Sequence, residues 1–437
     1  MVSEISGDET IRVILAGVML PDRTDYAFRT GMAELKALAE ACSMETQAVM
    51  VQRLTRVDPA MYMGRGRLEE LKTWADDMEA DAVIFNNTLS PSQLANLARF
   101  LEVEILDRTG LILQIFSSRA RTREAKLQVE FAQLQYMLPR LVGLRANLSR
   151  QGGTGGSMSN RGAGETKLEL DRRHIEQKMA GLRRELKDIE RVRETQRKKR
   201  SDSALPSVAL VGYTNAGKST LLNALLERYG LQEGAELENK KVMTADMLFA
   251  TLDTTVRRIS PPERPDFLLS DTVGFISDLP TQLVKAFRST LDEAVHADLL
   301  LEVVDASDPD HEQQMEVTAQ TLKDLDAGKI PVIHVMNKAD TPAAGSGTRI
   351  GRDGPRRIWI SARSGDGLDQ LIDMIAEQLM DRAVTCELIL PYAMAAAEHE
   401  LRTLAKVYEV LYEEDGIHVR ATMGRALYGK YGRYAAQ

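Results

Sequence analysis

The chain holds 437 residues, 43% of them apolar and 27% charged; at roughly one domain per ~150 residues this predicts two to four domains with ample core and excludes wholesale disorder. Two cysteines, Cys42 and Cys386, exclude a disulfide framework and a four-thiolate zinc site, the six histidines show no metal-ligand spacing, and a reducing cytoplasm is the expected compartment. The net charge of -8 is unevenly spread: residues 1–115 carry 11 basic and 18 acidic side chains, residues 116–200 carry 21 and 10, and residues 201–437 carry 24 and 36, so a strongly basic segment lies between two acidic ones.

No apolar run approaches the ~20 residues that span a bilayer. Glu4, Asp8 and Glu9 stand where a signal peptide would be basic, so neither a membrane span nor export is expected. Short apolar runs then alternate with helical patterns: Val13–Val18, Met32–Ala41, Thr46–Val51, Leu68–Met78 and Ala82–Phe85. That alternation predicts a small α/β unit with a mostly parallel sheet. Ser90 and Pro91 open a helix that runs to Leu101. Val103–Leu106 and Leu111–Phe116 read as strands.

From about Ser118 the pattern is helical. Leu127, Phe131, Leu134, Leu138 and Leu141 advance in steps of three and four, with Pro139 expected to kink the run. A second seam follows at Leu168, Ile175, Met179, Leu182, Leu186 and Ile189. Two seams joined by the glycine-dense stretch Gln151–Gly164 predict an antiparallel hairpin, each arm of ~30 residues about 45 Å long. Its basic excess, which includes the run Arg197–Arg200, suits folded RNA, where phosphate neutralisation supplies affinity and shape supplies selectivity. Arg145, Arg150 and Arg161 are the candidate RNA contacts at the tip. A solvated coiled coil for dimerisation or spacing is the plainer alternative.

Val208–Val211 leads into Gly212, Tyr213, Thr214, Asn215, Ala216, Gly217, Lys218 and Ser219, which match GxxxxGK[ST], with Thr220 starting a helix. Chance yields such a string on the order of one time in a hundred in a chain this long. Its backbone N–H groups would wrap phosphates, Lys218 would reach the β/γ-phosphates and the Ser219 hydroxyl would ligate Mg²⁺. Asp271, Thr272, Val273 and Gly274 follow the strand Phe267–Leu269, which places Asp271 near the metal, through water, and the Gly274 amide near the γ-phosphate. Asn337, Lys338, Ala339 and Asp340 follow Val332–Val335. The Asp340 carboxylate can accept from both guanine N1 and N2, a pairing that adenine cannot make. Ser361 and Ala362, with Arg363 beside them, follow Arg357–Ile360 and offer a backbone N–H to guanine O6. Four strings in this order, each at a strand end, point to a GTPase. The threonine that closes over Mg²⁺ is left open among Thr244, Thr251, Thr254 and Thr255.

Ras-like enzymes orient the attacking water with a glutamine directly after the DxxG glycine; here Phe275 and Ile276 follow, and neither can hydrogen-bond water. Slow intrinsic turnover, raised by a partner, is expected. The Asn215 side-chain carbonyl is a candidate potassium ligand, against the plainer reading of a polar residue that stabilises the loop. Asp305 and Asp308 read as loop residues. Beyond Asp381, Cys386–Leu390 reads as a strand, Ala393–Leu411 as an amphipathic helix and Ile417–Met423 as a strand.

The strings GYTNAGKSTL, LFATLDTTVR, DTVGFISDLP and NKAD resemble the HflX branch of the Obg–HflX translation-factor GTPases, as do DRTGLILQIF at Asp107–Phe116, EAKLQVEFAQLQYMLPRL at Glu124–Leu141 and GGTGGSMSNRGAGET at Gly152–Thr166. The resemblance covers nearly the whole chain. It implies a nucleotide contact from Phe249, Ala250, Thr251, Leu252 and Asp253, with Thr251 the second Mg²⁺ hydroxyl, so that Lys218, Thr251 and Gly274 would act on the transferred phosphoryl group. It also implies GTP/GDP and Mg²⁺ as ligands, the large ribosomal subunit and its rRNA as partners, a hairpin tip near the peptidyl-transferase region, and rescue of stalled or stressed ribosomes. The sequence departs from the simplest pattern at Glu227–Ala245, a long approach to Thr251, and at Ala343–Pro355, an added loop.

The expected architecture is α/β multidomain: an N-terminal α/β domain over 1–116, a basic helical hairpin over 117–204, a P-loop GTPase domain with a mixed, mostly parallel sheet over 205–382 and a small α+β domain over 383–437, in a monomeric chain. A nucleotide-gated RNA-binding or remodelling protein with incidental hydrolysis is the alternative function. Residues 1–115 hold no phosphate-binding loop, since Gly64 and Gly66 read as a turn.

Overall fold

A computed structural model describes residues 10–150, 158–202, 205–230, 249, 255–262, 264–277, 288–344, 349–351, 356–380 and 384–436; for 141–150, 158–168, 194, 196–202, 288–290, 343, 349–350, 380, 395, 403, 406, 425 and 426 it describes the backbone alone. Two compact units divide the chain, one built on Met1–Asp188 and the other on Ile189–Asp278 with Phe287–Gln437.

The first unit contains β1 (Ile11–Met19), β2 (Met44–Arg53), β3 (Ala82–Phe85) and β4 (Glu104–Asp107) in the order β2-β1-β3-β4, all parallel. Helices on both faces leave the central strands without a polar side, which is why Val13–Ala16 and Ala82–Phe85 are continuous buried apolar runs. Helices α1 (Asp25–Ala41), α2 (Arg65–Asp77) and α3 (Pro91–Leu101) connect the strands. At α3, Ser90 accepts from Gln93 N and the Gln93 side chain accepts from Ser90 N, a reciprocal cap with Pro91 in the first turn.

Leu111–Phe116 is a helix rather than the expected strand. It belongs to α4 (Arg108–Arg119), nucleated where the Asp107 carboxylate caps Gly110 N at 2.8 Å. Residues Arg108–Leu113, Ile115 and Phe116 are all buried, so the helix shows no polar stripe and its periodicity is hidden. Asp107 is itself fully buried. It also accepts from Leu89 N, the Tyr136 hydroxyl at 2.6 Å and Arg140 at 3.1 Å, tying the sheet edge to helix α5 (Arg123–Arg150).

Helix α5 continues through Pro139. Helix α6 (Met158–Asp202) begins inside the stretch read as a tip loop, so Met158–Gly164, with Arg161, are helical. Glycine costs about 1 kcal/mol per helix position relative to alanine, which a long helix offsets because each added residue brings a hydrogen bond. Residues 151–157 lie outside the described residues. Pairs Arg123–Glu185 and Glu130–Lys178, with Arg183 over the Phe131 ring, run in opposite sequence directions, so α5 and α6 are antiparallel there. Leu182 is buried, and Ile175, Met179, Leu186 and Ile189 are more covered than their neighbours on α6.

The second unit contains a seven-stranded sheet in the order β10-β11-β9-β8-β5-β7-β6. Strands β7 (Phe267–Asp271), β5 (Ser207–Val211), β8 (Leu299–Asp305), β9 (Val332–Asn337) and β11 (Arg357–Trp359) are parallel; β6 (Thr255–Ile259) and β10 (Arg349–Ile350) run antiparallel at the edges. After β5 the chain builds first on one side of it, through β6 and β7, and then on the other, through β8 and β9. The loop after β5 therefore opens into the crevice at the carboxyl ends of the strands, where open α/β sheets bind ligands.

A separate antiparallel sheet holds β12 (Val384–Leu390), β14 (Gly416–Met423) and β13 (Lys406–Glu413) in that order. Here the expected helix Ala393–Leu411 is corrected: it ends at Leu404, and Lys406–Glu413 is a strand. Valine and tyrosine enrichment favours β structure, and the Asp415-Gly416 turn, with Gly416 at φ 150°, reverses the chain into β14.

Candidate nucleotide site

Five segments converge at the carboxyl edge of the large sheet: Gly212–Ser219 after β5, Thr272–Gly274 after β7, the end of β8 at Asp305, Lys338–Asp340 after β9, and Ser361–Arg363 after β11. Helix α7 (Lys218–Tyr229) starts directly after Gly217, whose φ of 94° and whose contact with Asn337, 2.3 Å from where a Cβ would stand, exclude a larger residue. The first N–H groups of a helix have no intrahelical acceptor, which makes a helix start that follows a glycine loop suited to anions.

Within that cradle Lys218 is buried, and its Nζ donates to the carbonyls of Gly212 at 3.0 Å and Tyr213 at 2.7 Å. Burial pushes its pKa down to about 8, with Asp271 opposing the change. A buried ammonium whose hydrogen-bond partners are neutral carbonyls fits an anionic ligand. The Thr214 hydroxyl is buried too and has no partner among the described residues. The Ser219 hydroxyl donates to Asp271 Oδ2 at 2.8 Å. Hydroxyl and carboxylate oxygens together form a hard donor set of the kind that suits Mg²⁺.

The segment after β7 is stitched to the phosphate loop. Thr214 N donates to Phe275 O at 2.8 Å, Phe275 N to Gly212 O at 3.1 Å, and Thr272 Oγ1 to Leu210 O at 2.6 Å. At Gly274 a Cβ would stand 2.7 Å from Thr214 Cγ2 and 3.0 Å from Lys218 Nζ, so only glycine allows this approach. Phe275 and Ile276 are buried, 3% and 1% exposed, and pack as core. The Tyr213 hydroxyl pairs with Ser277 Oγ and accepts Ser277 N, both at 2.7 Å.

On the base side, Asn337 is structural. Its Nδ2 donates to Ala216 O at 2.9 Å and its Oδ1 accepts Ala362 N at 2.9 Å, so one buried amide joins the phosphate loop to the segment after β11. Lys338, at φ 62°, donates to Asp305 Oδ2 at 2.6 Å. Asp340 is exposed. Sequence reasoning passed over Asp305 as a loop residue; its place at the end of a central parallel strand is the signal that marks it. The contact that Tyr213 makes with Ser277 was missed as well.

Asn215, exposed at φ 61°, sits in the left-handed region that asparagine tolerates, a backbone reason for that residue type. Phe249 is buried, whereas Thr244, Ala250, Thr251, Leu252, Asp253 and Thr254 lie outside the described residues. Thr255 lies in β6. Most of Glu227–Ala245 and much of Ala343–Pro355 are likewise outside them, and the side chains of Arg145, Arg150 and Arg161 are not described. The two cysteines are free and half-buried. Among the described residues no helix is long and apolar enough to cross a membrane.

A phosphate loop at the switch point of a mostly parallel sheet, with DxxG and NKxD segments at neighbouring strand ends, defines the class as a P-loop GTPase. Residues 29–117 match the family model for a GTP-binding GTPase N-terminal region, 119–200 that for a GTP-binding GTPase middle region and 207–338 that for a 50S ribosome-binding GTPase. The chain is 42% identical to GTPase HflX of Caldanaerobacter subterraneus subsp. tengcongensis over 96% of its own length and 92% of that protein's, and 39% identical to GTPase HflX of Escherichia coli over 88% and 87%. It belongs to the HflX family of GTPases. A solved GTP-binding protein of Sulfolobus solfataricus in complex with GDP aligns at 23% identity and a TM-score of 0.43, covering 84% of this chain and 98% of that one.

Proposed function

We propose that this chain grips the large ribosomal subunit in its GTP state through α5, α6 and the connection between them, and that GTP hydrolysis releases it after stalled or stressed ribosomes have been dissociated or rescued. The observation that carries this reading is the basic excess of residues 116–200, 21 Lys and Arg against 10 Asp and Glu, on two antiparallel helices in a chain whose net charge is -8. Such an excess exceeds what solubility needs and matches the phosphate surface of folded RNA. The description of the matching family model as a 50S ribosome-binding GTPase supports the same partner.

At the nucleotide site, the N–H groups of Gly212–Thr220 and the Lys218 ammonium hold the phosphates, and Asp340, with the Ala362 and Arg363 backbone, reads guanine. Ser219, Asp271 and Thr251 are the residues that would hold Mg²⁺, which when bound neutralises charge on the β- and γ-phosphate oxygens. With Phe275 and Ile276 buried, the two residues after Gly274 orient no water. Turnover of the isolated chain is therefore slow and rises when the ribosome orders the segments around the γ-phosphate. We further propose that the Asn215 side-chain carbonyl ligates potassium as an added counter-charge, and faster hydrolysis in potassium than in sodium chloride is the expected result.

Pelleting with ribosomal subunits tests the proposal, using wild type and a chain lacking residues 151–164, each with a GTP analogue and with GDP. Cosedimentation with large subunits that needs both the analogue and the tip is expected. Binding to bare RNA regardless of nucleotide would favour the second reading, an RNA-remodelling protein with incidental hydrolysis.

A further inference from the structure

The phosphate loop and the segment that follows β7 are joined by more than backbone. Tyr213 is the second residue of the loop, and its ring reaches past Phe275 and Ile276 to place the phenol oxygen 2.7 Å from both Ser277 Oγ and Ser277 N. The phenol acts on both sides at once, pairing with the hydroxyl and accepting the N–H. The residues between are fixed as well, because Phe275 exchanges backbone hydrogen bonds with Gly212 and Thr214 and is buried together with Ile276. Gly274–Ser277 therefore follows the strand end at Asp271, is held in its middle by the loop backbone and is held at its end by the Tyr213 hydroxyl.

From this geometry we infer that Tyr213 is a positioning residue for GTP hydrolysis, holding Gly274–Ser277 on the phosphate loop so that the Gly274 amide is aimed in advance at the γ-phosphate. The inference rests on the GTPase reading above and adds a role that belongs to the side chain rather than to the backbone of the loop. Donors aimed beforehand at developing charge are worth most in the transition state, because they need no reorganisation during reaction. The phosphate cradle is built from backbone N–H groups, whereas the phenol bonds to Ser277. Its loss therefore lowers the hydrolysis rate and leaves ground-state nucleotide affinity in place.

The test uses the full chain in single-turnover GTP hydrolysis, with and without large ribosomal subunits, beside titration of a fluorescent GDP and thermal unfolding. Tyr213→Phe is expected to lower the rate about tenfold, roughly threefold for each of the two hydrogen bonds it removes. Ser277→Ala keeps the N–H that the phenol accepts and is expected to lose about threefold, whereas Ser277→Thr keeps the hydroxyl and stays near wild type. The double variant Tyr213→Phe/Ser277→Ala is no slower than Tyr213→Phe alone, since both changes act on one contact. GDP affinity stays within about twofold throughout. A Tyr213→Phe rate equal to wild type, a fall in GDP affinity matching the fall in rate, or fully additive losses would each overturn the assignment. A wild-type chain that hydrolyses no GTP in the same assay would overturn the enzyme reading and this role with it.

Discussion

Lys218 is the residue at which the site is most at odds with itself. Its ammonium is buried, its partners are two carbonyls, and its pKa falls from 10.5 to about 8. At 1.36 kcal/mol per pKa unit, burying the charge costs about 3 kcal/mol. Replacing Lys218 by Met keeps the length and apolar stem and removes the charge. The two hydrogen bonds lost return about 1 kcal/mol each, so nucleotide-free Lys218→Met is expected to be about 1 kcal/mol more stable than wild type at pH 7. Saturating GDP and Mg²⁺ should stabilise wild type by about 2.7 kcal/mol at a hundredfold excess over Kd and leave the variant unmoved.

Denaturant unfolding with and without nucleotide measures both quantities. A nucleotide-free variant that is clearly less stable than wild type, or one still stabilised by GDP, would refute the view that this lysine is held for a phosphate ligand. The pH dependence supplies a second check. A lysine whose folded-state pKa is lowered leaves the unfolded chain holding more protons between pH 8 and 10.5, so nucleotide-free wild type gains stability as pH rises through that window and carries the full penalty below it. Phosphate needs the ammonium. GDP affinity of wild type should therefore be flat below about pH 8 and weaken above it by up to tenfold per pH unit.

Three further outcomes follow from named contacts. Asn337→Ala removes the bonds to Ala216 O and Ala362 N, and GDP and GTP affinity should fall together by one to two orders of magnitude, roughly the cost of one or two buried groups left unmet; a fluorescent-nucleotide titration showing loss for GTP alone would count against that structural role. Asp340→Asn should weaken GTP by about a hundredfold or more and improve xanthosine triphosphate, because an amide donor suits the base carbonyl that replaces the guanine amino group; competition in a hydrolysis assay decides. Asp107→Asn leaves Arg140 without its carboxylate and weakens the bond from Tyr136, so urea unfolding should show a loss of about 2–3 kcal/mol from a buried, charge-assisted network.

What the sequence made legible are features that a short stretch of backbone decides. The phosphate loop was readable because glycines at fixed spacing and a following helix are local requirements, and α3 because Ser90, Pro91 and Gln93 lie within four residues. Strands β1 and β3 were readable as apolar runs. Leu111–Phe116 was misread because burial on all sides removes the helical stripe, leaving only the Asp107 cap as a signal. Lys406–Glu413 was misread because its apolar residues fit a helical face as well as a strand, and the Asp415-Gly416 turn is what separates the two.

The contacts that organise the site follow another rule. Tyr213 meets Ser277, Asn337 meets Ala216 and Lys338 meets Asp305, each across tens of residues and each only because the sheet order sets β7, β5, β8 and β9 side by side. No spacing within a motif contains that order. The motif residues consequently divide by job: Lys218 and Asp340 are the proposed ligand contacts, whereas Asn337 and Lys338 hold loops to one another. Mutations in one four-residue motif should therefore fail in different ways, Asp340 through which base is chosen and Asn337 through whether any nucleotide is held.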